Sequence, residues 1–405
     1  MKEIKKVLIF ENERIEDIYP FNILHCGWEL RTGAFKQFER IEKYIPESNL
    51  NFQGRSLHLD SFTERFAIEN SNLQKVPTLA IDSSVLLMAE LFNEIKNKII
   101  ENSNTDLIFQ KNSENLIIYF SDNSEVNLDK NIIDNFKKIE LNSIKKINYL
   151  WDCLDSVGDL IIEDSVYFEK NDNDYIGFHL LNKEQIYLGK NVDIMPNCVI
   201  DAREGAVIID DNAKIMAQST IIGPCYIGIN SVIKVGAKIY QNTSIGEFCK
   251  IGGEVENSII HSFSNKQHEG FLGHSYICEW VNLGADTNNS DLKNTYSEIK
   301  MRLPHKTVKS GKIFLGLMCG DHTKTAINTQ FNTGTVAGIC GVLFESGFLS
   351  TTISSFAWGG NSNKTYKIED ALDTAKKVMQ RRNKQLTKSE IELLKIEFDK
   401  QINHN

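Results

Sequence analysis

An isoleucine recurs at every sixth position through the middle of the chain. The series comprises Ile209, Ile215, Ile221, Ile227, Ile233, Ile239, Ile245 and Ile251. Neither the 3.6-residue period of a helix nor the two-residue period of an ordinary strand selects one position in six. A hexapeptide period is typical of a parallel β-helix, in which six residues form one short strand and one corner. The pattern therefore predicts a solenoid whose interior is lined with isoleucine.

A small residue stands four positions after each isoleucine, and we expect it to fit a narrow corner of the prism. These corner residues are Ala213, Ser219, Cys225, Ser231, Ala237, Thr243, Cys249 and Val255. The residues that stand immediately before four of the corners are Asn212, Asn230, Gly236 and Asn242. Asparagine and glycine tolerate left-handed backbone angles, so we expect the chain to turn at these positions.

Weaker repeats flank the isoleucine series. A first stretch runs through Leu188, Ile194 and Ile200, and later positions with the same spacing are Phe271, Ile277, Leu283, Ile327, Thr333 and Ile339. After Gly252, two polar segments at 257–270 and 285–312 interrupt the repeat. We expect both segments to leave the solenoid as loops, because insertions in such folds usually lie on one face and serve binding.

The two ends of the chain follow other patterns. Residues 1–150 contain short apolar runs and an amphipathic stretch at 83–101, which indicate a mixed α/β domain. The runs are Val7–Phe10, Leu79–Ile81, Leu107–Phe109 and Leu116–Phe120. We assign residues 151–362 to the β-helix and 363–405 to a helical segment whose last helix opens on the capping-box pattern Thr387-x-x-Glu390. These helices are expected to cover the open end of the solenoid.

The composition narrows the classes of partner. The 405-residue chain carries a formal net charge of −9 and shows no basic stripe, so nucleic acid is not expected as a ligand. Its eight cysteines include no C-x-x-C pair, which predicts small apolar fillers in a reducing compartment. Without a sustained apolar signal or membrane segment, a cytoplasmic protein is expected.

Several stretches resemble a known family. They are 264–275 (SNKQHEGFLGHS), 280–293 (WVNLGADTNNSDLK), 320–334 (GDHTKTAINTQFNTG), 353–360 (ISSFAWGG) and the junction 148–152 (NYLWD). Together with the repeat they resemble the left-handed hexapeptide acyltransferases. In two-domain layout, the chain resembles the bifunctional UDP-N-acetylglucosamine pyrophosphorylase/glucosamine-1-phosphate N-acetyltransferases, and most of all a bacterial branch of sugar nucleotidyltransferases. The resemblance implies an α/β nucleotidyltransferase-like domain followed by a left-handed parallel β-helix.

The same resemblance implies that His268 is the catalytic base of an acyl transfer. In the family, the base lies in a Lys-x-His type of segment that is followed by Asn-x-Gly-Ala-x-Thr. The matching positions expected to bind the acceptor are Lys266 and Asn282, and those expected to bind acetyl-CoA are Gly284, Ala285 and Thr287. A neutral imidazole suits removal of an amine proton as the thioester is attacked. His261 and His274 rank below His268, and His322 lies further along, in turns that the resemblance implies would line a coenzyme A groove.

This chain also departs from the family's pattern. Lys234 stands where the family has an arginine that holds the substrate phosphate, so a cation remains without bidentate recognition. The glycine-rich nucleotide loop is absent after the first predicted strand, and Arg31 and Lys36 are the residues expected to bind phosphate there. The departures leave the identity of the acceptor open.

Four functions are compatible with these residues. The first is acyl transfer from acyl-CoA to a phosphorylated or nucleotide-linked amino sugar by a homotrimer. The second is Mg²⁺-dependent nucleotidyl transfer to a sugar 1-phosphate in the N-terminal domain. The third is a metal enzyme that uses His261, His268 and His274. The fourth is a non-catalytic trimeric scaffold or sugar-nucleotide-binding protein that kept the fold and lost the chemistry.

Overall fold

The computed structural model describes residues 4–46, 49–71, 75–102, 104–122, 124–170, 177–361 and 364–404. The chain divides into two units. Unit 1 comprises Met1–Glu16, His25–Leu30 and Phe35–Asn148, and unit 2 comprises Asp17–Leu24, Arg31–Ala34 and Tyr149–Asn405. Two short segments of the N-terminal region thus belong to the same unit as the repeat. The expected boundary at 362/363 lies outside the described residues.

Unit 1 is an α/β domain built on a six-stranded sheet. In spatial order its strands are Asn49–Gln53, Lys6–Phe10, Thr78–Asp82, Glu114–Phe120, Leu107–Lys111 and Lys137–Glu140. The α-helices are Gln37–Tyr44, Ser56–Phe66, Ala89–Glu101 and Lys130–Ile133, and a short strand is Phe35–Lys36. All four strands predicted from apolar runs are therefore present. The helix expected from residue 83 begins only at Ala89, because Val85–Leu86 pairs with Lys145–Lys146 as a second small sheet.

Unit 2 is a parallel β-solenoid of about ten turns, as the hexapeptide period predicts. Its strands up to the end of the isoleucine series are Arg31–Thr32, His179–Leu181, Ile186–Leu188, Asp193–Ile194, Val199–Asp201, Val207–Ile209, Lys214–Ile215, Thr220–Ile222, Cys225–Ile227, Val232–Ile233, Lys238–Ile239, Thr243–Ile245 and Lys250–Ile251. The later strands are Glu254–Glu256, Ile259–Ile260, Asn265–Lys266, Phe271–Gly273, Tyr276–Ile277, Asn288–Asn289, Lys300–Leu303, Lys306–Lys309, Leu317–Cys319, Lys324–Thr325, Gln330–Phe331, Thr335–Ala337, Val342–Leu343, Thr352–Ile353 and Trp358–Gly359.

The isoleucines stack inside the solenoid, one turn above another. Ile209 pairs in register with Ile227, and Ile227 pairs with Ile245. All eight isoleucines of the series are at most 1% exposed, and burying each one stabilises the fold by roughly 1.5–3 kcal/mol. The eight small corner residues are fully buried as well. Left-handed backbone angles occur at Asn212, Asn230, Gly236 and Asn242, which confirms the predicted corners.

The interrupted part of the repeat differs from the expectation. Segment 257–270 stays in the solenoid, because Ile259–Ile260 and Asn265–Lys266 continue its parallel sheets. Residues 288–289 also remain in it, since they pair in parallel with Gln330–Phe331. Lys300–Leu303 and Lys306–Lys309 instead form an antiparallel hairpin. Beyond the hairpin the spacing of six holds in another phase. Ile327 is 69% exposed, whereas Phe331, Ala337 and Leu343 lie in the core.

The C-terminal helices are Ile368–Gln380 and Lys388–His404. The capping box is present: Thr387 Oγ1 accepts from the Glu390 amide at 3.1 Å, and Glu390 Oε2 accepts from the Thr387 amide at 2.8 Å. The last helix packs on the final turns, since Ser355 donates to Glu397. All eight cysteines are buried and free, as predicted. Among the described residues, no helix is long and apolar enough to cross a membrane.

The remaining elements of the chain are short helices. They comprise one α-helix, Val157–Asp164, and the 3-10 helices Glu13–Ile18, Phe21–Ile23, Gly27–Glu29, Leu150–Ser156, Ser165–Tyr167 and Lys183–Gln185.

Candidate functional site

One edge of the solenoid collects most of the residues that the sequence singled out. Ile233 pairs with Ile251, and Ile251 pairs with Lys266, so the residues that follow these strands stack as a column. Lys234 belongs to this column, which continues in the next two turns with Gly252 and Gln267. Gly284 follows in the turn after these, because Asn265 is bridged to Asn282 in parallel register. His268 and Ala285 follow directly in the chain and therefore lie at the same edge.

His268 lies at a bend on this edge, and its side chain is exposed. Among the described residues, none forms a hydrogen bond or an ion pair with its imidazole. A base must reach the proton that it removes, so exposure at an edge is compatible with the predicted role. That role stays a prediction.

Lys266 lies inside the solenoid instead of on its surface. Its side chain is 2% exposed, and its Nζ donates to the carbonyl oxygens of Gly252 and His268, both at 3.0 Å. Burial lowers the pKa of this lysine to about 8. The ammonium therefore faces backbone carbonyls of the edge, whereas the sequence predicts that it faces a substrate.

Of the three residues expected to bind acetyl-CoA, two lie at the edge and one is buried in the solenoid. Gly284 and Ala285 are partly exposed at the edge. Thr287 is 3% exposed, and its hydroxyl pairs with Thr325 Oγ1 at 2.8 Å within the solenoid. Gly284 also uses its amide to bond Thr325 Oγ1 at 2.9 Å, and a Cβ there would lie 2.5 Å from the Ala326 oxygen. Glycine is therefore required at position 284 by close packing between turns.

The two cations expected to bind phosphate are buried in different units. Arg31, in unit 2, is 1% exposed and donates to the Ala34 oxygen at 2.6 Å and to Glu247 at 3.3 Å. Lys36, in unit 1, is 2% exposed and lies 3.4 Å from Glu39. Both side chains are committed to contacts within the protein. Their predicted role in phosphate binding remains untested.

Two further histidines of unit 2 pair with carboxylates. His261 is fully buried, and its Nδ1 lies 2.9 Å from Glu279. His274 is partly buried, and its Nδ1 lies 2.8 Å from Asp291 Oδ2, with the ring stacked on Phe314. Within the described ranges, no group of three or more His, Cys, Asp or Glu side chains could hold a metal ion. His261 and His274 are each paired with a carboxylate instead.

Unit 1 contains a cavity of about 1300 Å³ beside the loop that follows its first strand. The charged side chains that line it are Arg14, Arg55, Lys111, Lys130, Lys146, Glu11, Glu13 and Glu114. Five cations against three carboxylates favour an anionic ligand. Sequence reasoning missed most of these residues, because they come from segments far apart in the chain.

Glu11 occupies a cluster of donors at the wall of this cavity. Its carboxylate accepts from the amides of Gly27 and Arg55, both at 3.0 Å, and from two guanidinium nitrogens of Arg55 at 3.1 Å. A Cβ at Gly54 would lie 2.6 Å from the same carboxylate. Both oxygens of Glu11 are thus engaged by protein donors, so Glu11 does not offer a free ligand for Mg²⁺ in this arrangement.

Comparison with known proteins shows what the chain is similar to. Residues 7–173 match the family model of the sugar nucleotidyl transferases. A bifunctional sugar-1-phosphate nucleotidylyltransferase/acetyltransferase of Sulfurisphaera tokodaii is 36% identical over 137 residues, which are 33% of this chain and 34% of that protein. The bifunctional protein GlmU of Methanococcus vannielii is 26% identical over 363 residues, which are 84% of this chain and 81% of that protein. The chain is thus similar to parts of these bifunctional proteins.

The resemblance predicted from the sequence is thereby confirmed. The bifunctional protein GlmU of Methanococcus aeolicus is a further relative, 28% identical over 220 residues, which are 54% of this chain and 49% of that protein. The chain spans only a third to a half of the length of the first relatives it matches. The relative from Sulfurisphaera tokodaii is named as a transferase, which agrees with the predicted class of enzyme.

Proposed function

We propose that the chain is a transferase of sugar-nucleotide metabolism whose solenoid moves an acyl group from acetyl-CoA to an amino sugar. The acceptor is a phosphorylated or nucleotide-linked sugar. The observation that carries the proposal is the edge of the solenoid at which His268, Lys234 and Gly284 lie together. The similarity of the chain to a protein named as a bifunctional nucleotidylyltransferase/acetyltransferase supports it. The chain is proposed to work as a homotrimer in the cytoplasm, with the coenzyme in the groove between neighbouring solenoids.

His268 is the proposed general base. Its imidazole takes a proton from the acceptor nitrogen as that nitrogen attacks the thioester carbon. The carbon–sulfur bond then breaks, and the imidazolium returns the proton to the leaving sulfur, so that coenzyme A is released as a thiol. Lys234 supplies a cation on the same edge, two turns and so roughly 10 Å along the solenoid axis from Gln267. A cation at that distance suits the phosphate of a sugar phosphate.

The test combines coenzyme binding with turnover. Calorimetry with acetyl-CoA measures binding, and thiol release with a panel of amino sugar phosphates measures transfer. His268→Ala is expected to retain binding and to lose activity by on the order of 10²- to 10⁴-fold. His179→Ala, at an exposed histidine of the same unit, is the matched control. Absence of acetyl-CoA binding at millimolar concentration contradicts the proposal.

A second candidate function is nucleotidyl transfer in unit 1. The cationic excess around its cavity favours a ligand with phosphate groups, and the family match covers this part of the chain. Release of pyrophosphate from a nucleoside triphosphate and a sugar 1-phosphate, with and without Mg²⁺, measures this activity separately. If neither activity is found, the non-catalytic scaffold is the remaining alternative.

A further inference from the structure

Lys266 occupies a position that other turns fill with an apolar residue. Along the same sheet, Ile215 pairs with Ile233, Ile233 with Ile251, and Ile251 with Lys266. All three isoleucines are fully buried, and Lys266 is buried with them. An isoleucine at this position would continue the core, and a buried ammonium loses its hydration. The lysine therefore lowers the stability of the core relative to an apolar residue.

The ammonium binds the backbone next to the proposed base. Lys266 Nζ donates to the carbonyl oxygen of His268, two residues ahead in the chain, and to that of Gly252 in the turn below, both at 3.0 Å. It thus connects the bend that carries His268 to the neighbouring turn. Hydrogen bonds from a charged donor are stronger than those between neutral groups, so this connection restrains the bend.

Gly253 leaves room for this arrangement. Its φ is +71°, and a Cβ there would lie 2.7 Å from Lys266 Nζ and 2.8 Å from the His268 oxygen. A side chain at position 253 would therefore collide with the ammonium of Lys266 and with the backbone of the bend. This explains why the isoleucine series ends at a glycine pair directly below the buried lysine.

We propose that Lys266 is a positioning residue, which holds the bend 267–270 so that the imidazole of His268 is presented at the edge. The inference rests on the proposed acyl transfer and adds to it a role for a group that does not touch the substrate. It replaces the expectation that Lys266 binds the acceptor. In this role the buried ammonium lowers the stability of the core but restrains the bend that carries His268.

The test uses Lys266→Ile, which restores the residue type of the column, and Lys266→Met, which keeps an unbranched chain. The amides of Glu254 and Asp286 donate to the Gly270 and Glu269 oxygens of the bend, at 3.2 Å and 3.0 Å. Hydrogen exchange of these two amides is expected to rise by about tenfold or more in both variants, because opening of the bend is no longer opposed. Exchange of 234–237, the corresponding stretch two turns below the bend, is the internal control. Unchanged exchange at Glu254 and Asp286 overturns the inference, whether or not the protein transfers acyl groups.

Kinetics separate positioning from substrate binding. With acetyl-CoA and an accepted amino sugar phosphate, Lys266→Ile is expected to lower kcat by on the order of 10- to 100-fold, since small misplacements of a catalytic group cost this much. The KM for acceptor and coenzyme should stay within about threefold of wild type. A raised acceptor KM with unchanged kcat shows substrate binding and overturns the inference. Gly253→Ala, which perturbs the bend and leaves Lys266 in place, should reproduce the kcat defect.

The two failures are distinguishable. If wild-type protein binds no acetyl-CoA, the proposed acyl transfer fails while the exchange experiment still decides whether Lys266 holds the bend. If wild-type protein is active and Lys266→Ile has full activity, the inference fails and acyl transfer stands.

Discussion

Glu11 accepts three hydrogen bonds from Arg55 in unit 1, two from the guanidinium at 3.1 Å each and one from the amide at 3.0 Å. A fourth comes from the amide of Gly27. Arg55 immediately precedes the helix Ser56–Phe66, so its amide lies at a helix N-terminus. Such donors also bind phosphate oxygens. In this chain the group that they bind is a side chain of the protein.

Replacing Glu11 with alanine should leave these donors without their carboxylate. We expect a loss of about 1–3 kcal/mol in the free energy of unfolding, because buried donors lose their acceptor. We also expect added inorganic phosphate to restore part of that stability. Thermal unfolding with and without millimolar phosphate measures both effects. Glu13→Ala, at an exposed residue that lines the same cavity, is the control. An equal response of the two variants to phosphate contradicts this prediction.

The ion pair between Glu29 and Arg65 in unit 1 predicts that the free energy of unfolding falls in acid. Burial raises the pKa of Glu29, but Arg65 and His25 outweigh it and lower the value to about 2. The unfolded carboxyl titrates near pKa 4.3, so this group stabilises the native state above that pH, and the stabilisation is lost as pH falls from about 4.5 to 2. Denaturant unfolding at several pH values between these limits measures the slope.

Removal of Arg65 alone should lower the free energy of unfolding more than removal of both charges of the pair. Arg65→Ala leaves the carboxylate of Glu29, 1% exposed, without its guanidinium, which is expected to cost about 3–5 kcal/mol. The double variant Arg65→Ala/Glu29→Gln should recover part of that loss at neutral pH. If the double variant is less stable than Arg65→Ala, unpaired charge is not the cause.

The extent to which the sequence predicts this structure differs between its parts. The solenoid follows from the isoleucine period, because the same position in each turn meets the same interior. After the hairpin the period is kept but its phase changes, so Ile327 is on the surface while Phe331 is in the core. The phase depends on how many residues the hairpin adds to its turn, which periodicity alone does not give.

The candidate site shows the same limit. His268 could be selected from the family resemblance, and its side chain is exposed. The sequence predicts that it lies in a loop outside the solenoid, whereas its segment continues the parallel sheets. Lys266 could not be placed inside from sequence, because lysine is rarely fully buried and its carbonyl partners are defined only by the stacking of turns. The contact of Arg31 with Glu247 joins residues 216 positions apart, and no local pattern reveals it.

Lys266 also predicts a rise in stability at alkaline pH. Burial lowers its pKa to about 8 in the folded chain, whereas the unfolded side chain titrates near 10.4. Between these values the unfolded chain binds more protons, so the free energy of unfolding should rise with pH, by on the order of 1–3 kcal/mol in total. Measured against Lys266→Met, wild type should gain stability from about pH 8 to 10. Lys214→Met, at a partly exposed lysine, should show no such pH-dependent difference from wild type.

The interior isoleucines should dominate the stability of unit 2. Ile233 is fully buried between Ile215 and Ile251, so Ile233→Ala leaves a cavity in a stack that cannot easily collapse around it. We expect a loss of about 2–5 kcal/mol in the free energy of unfolding. Ile229, four residues earlier, is 39% exposed, and Ile229→Ala should change stability by about 0.5 kcal/mol or less. Denaturant titration of the intact chain measures the free energy of unfolding of both variants. Equal losses for the two variants would show that burial in the stack does not set the stability of the solenoid.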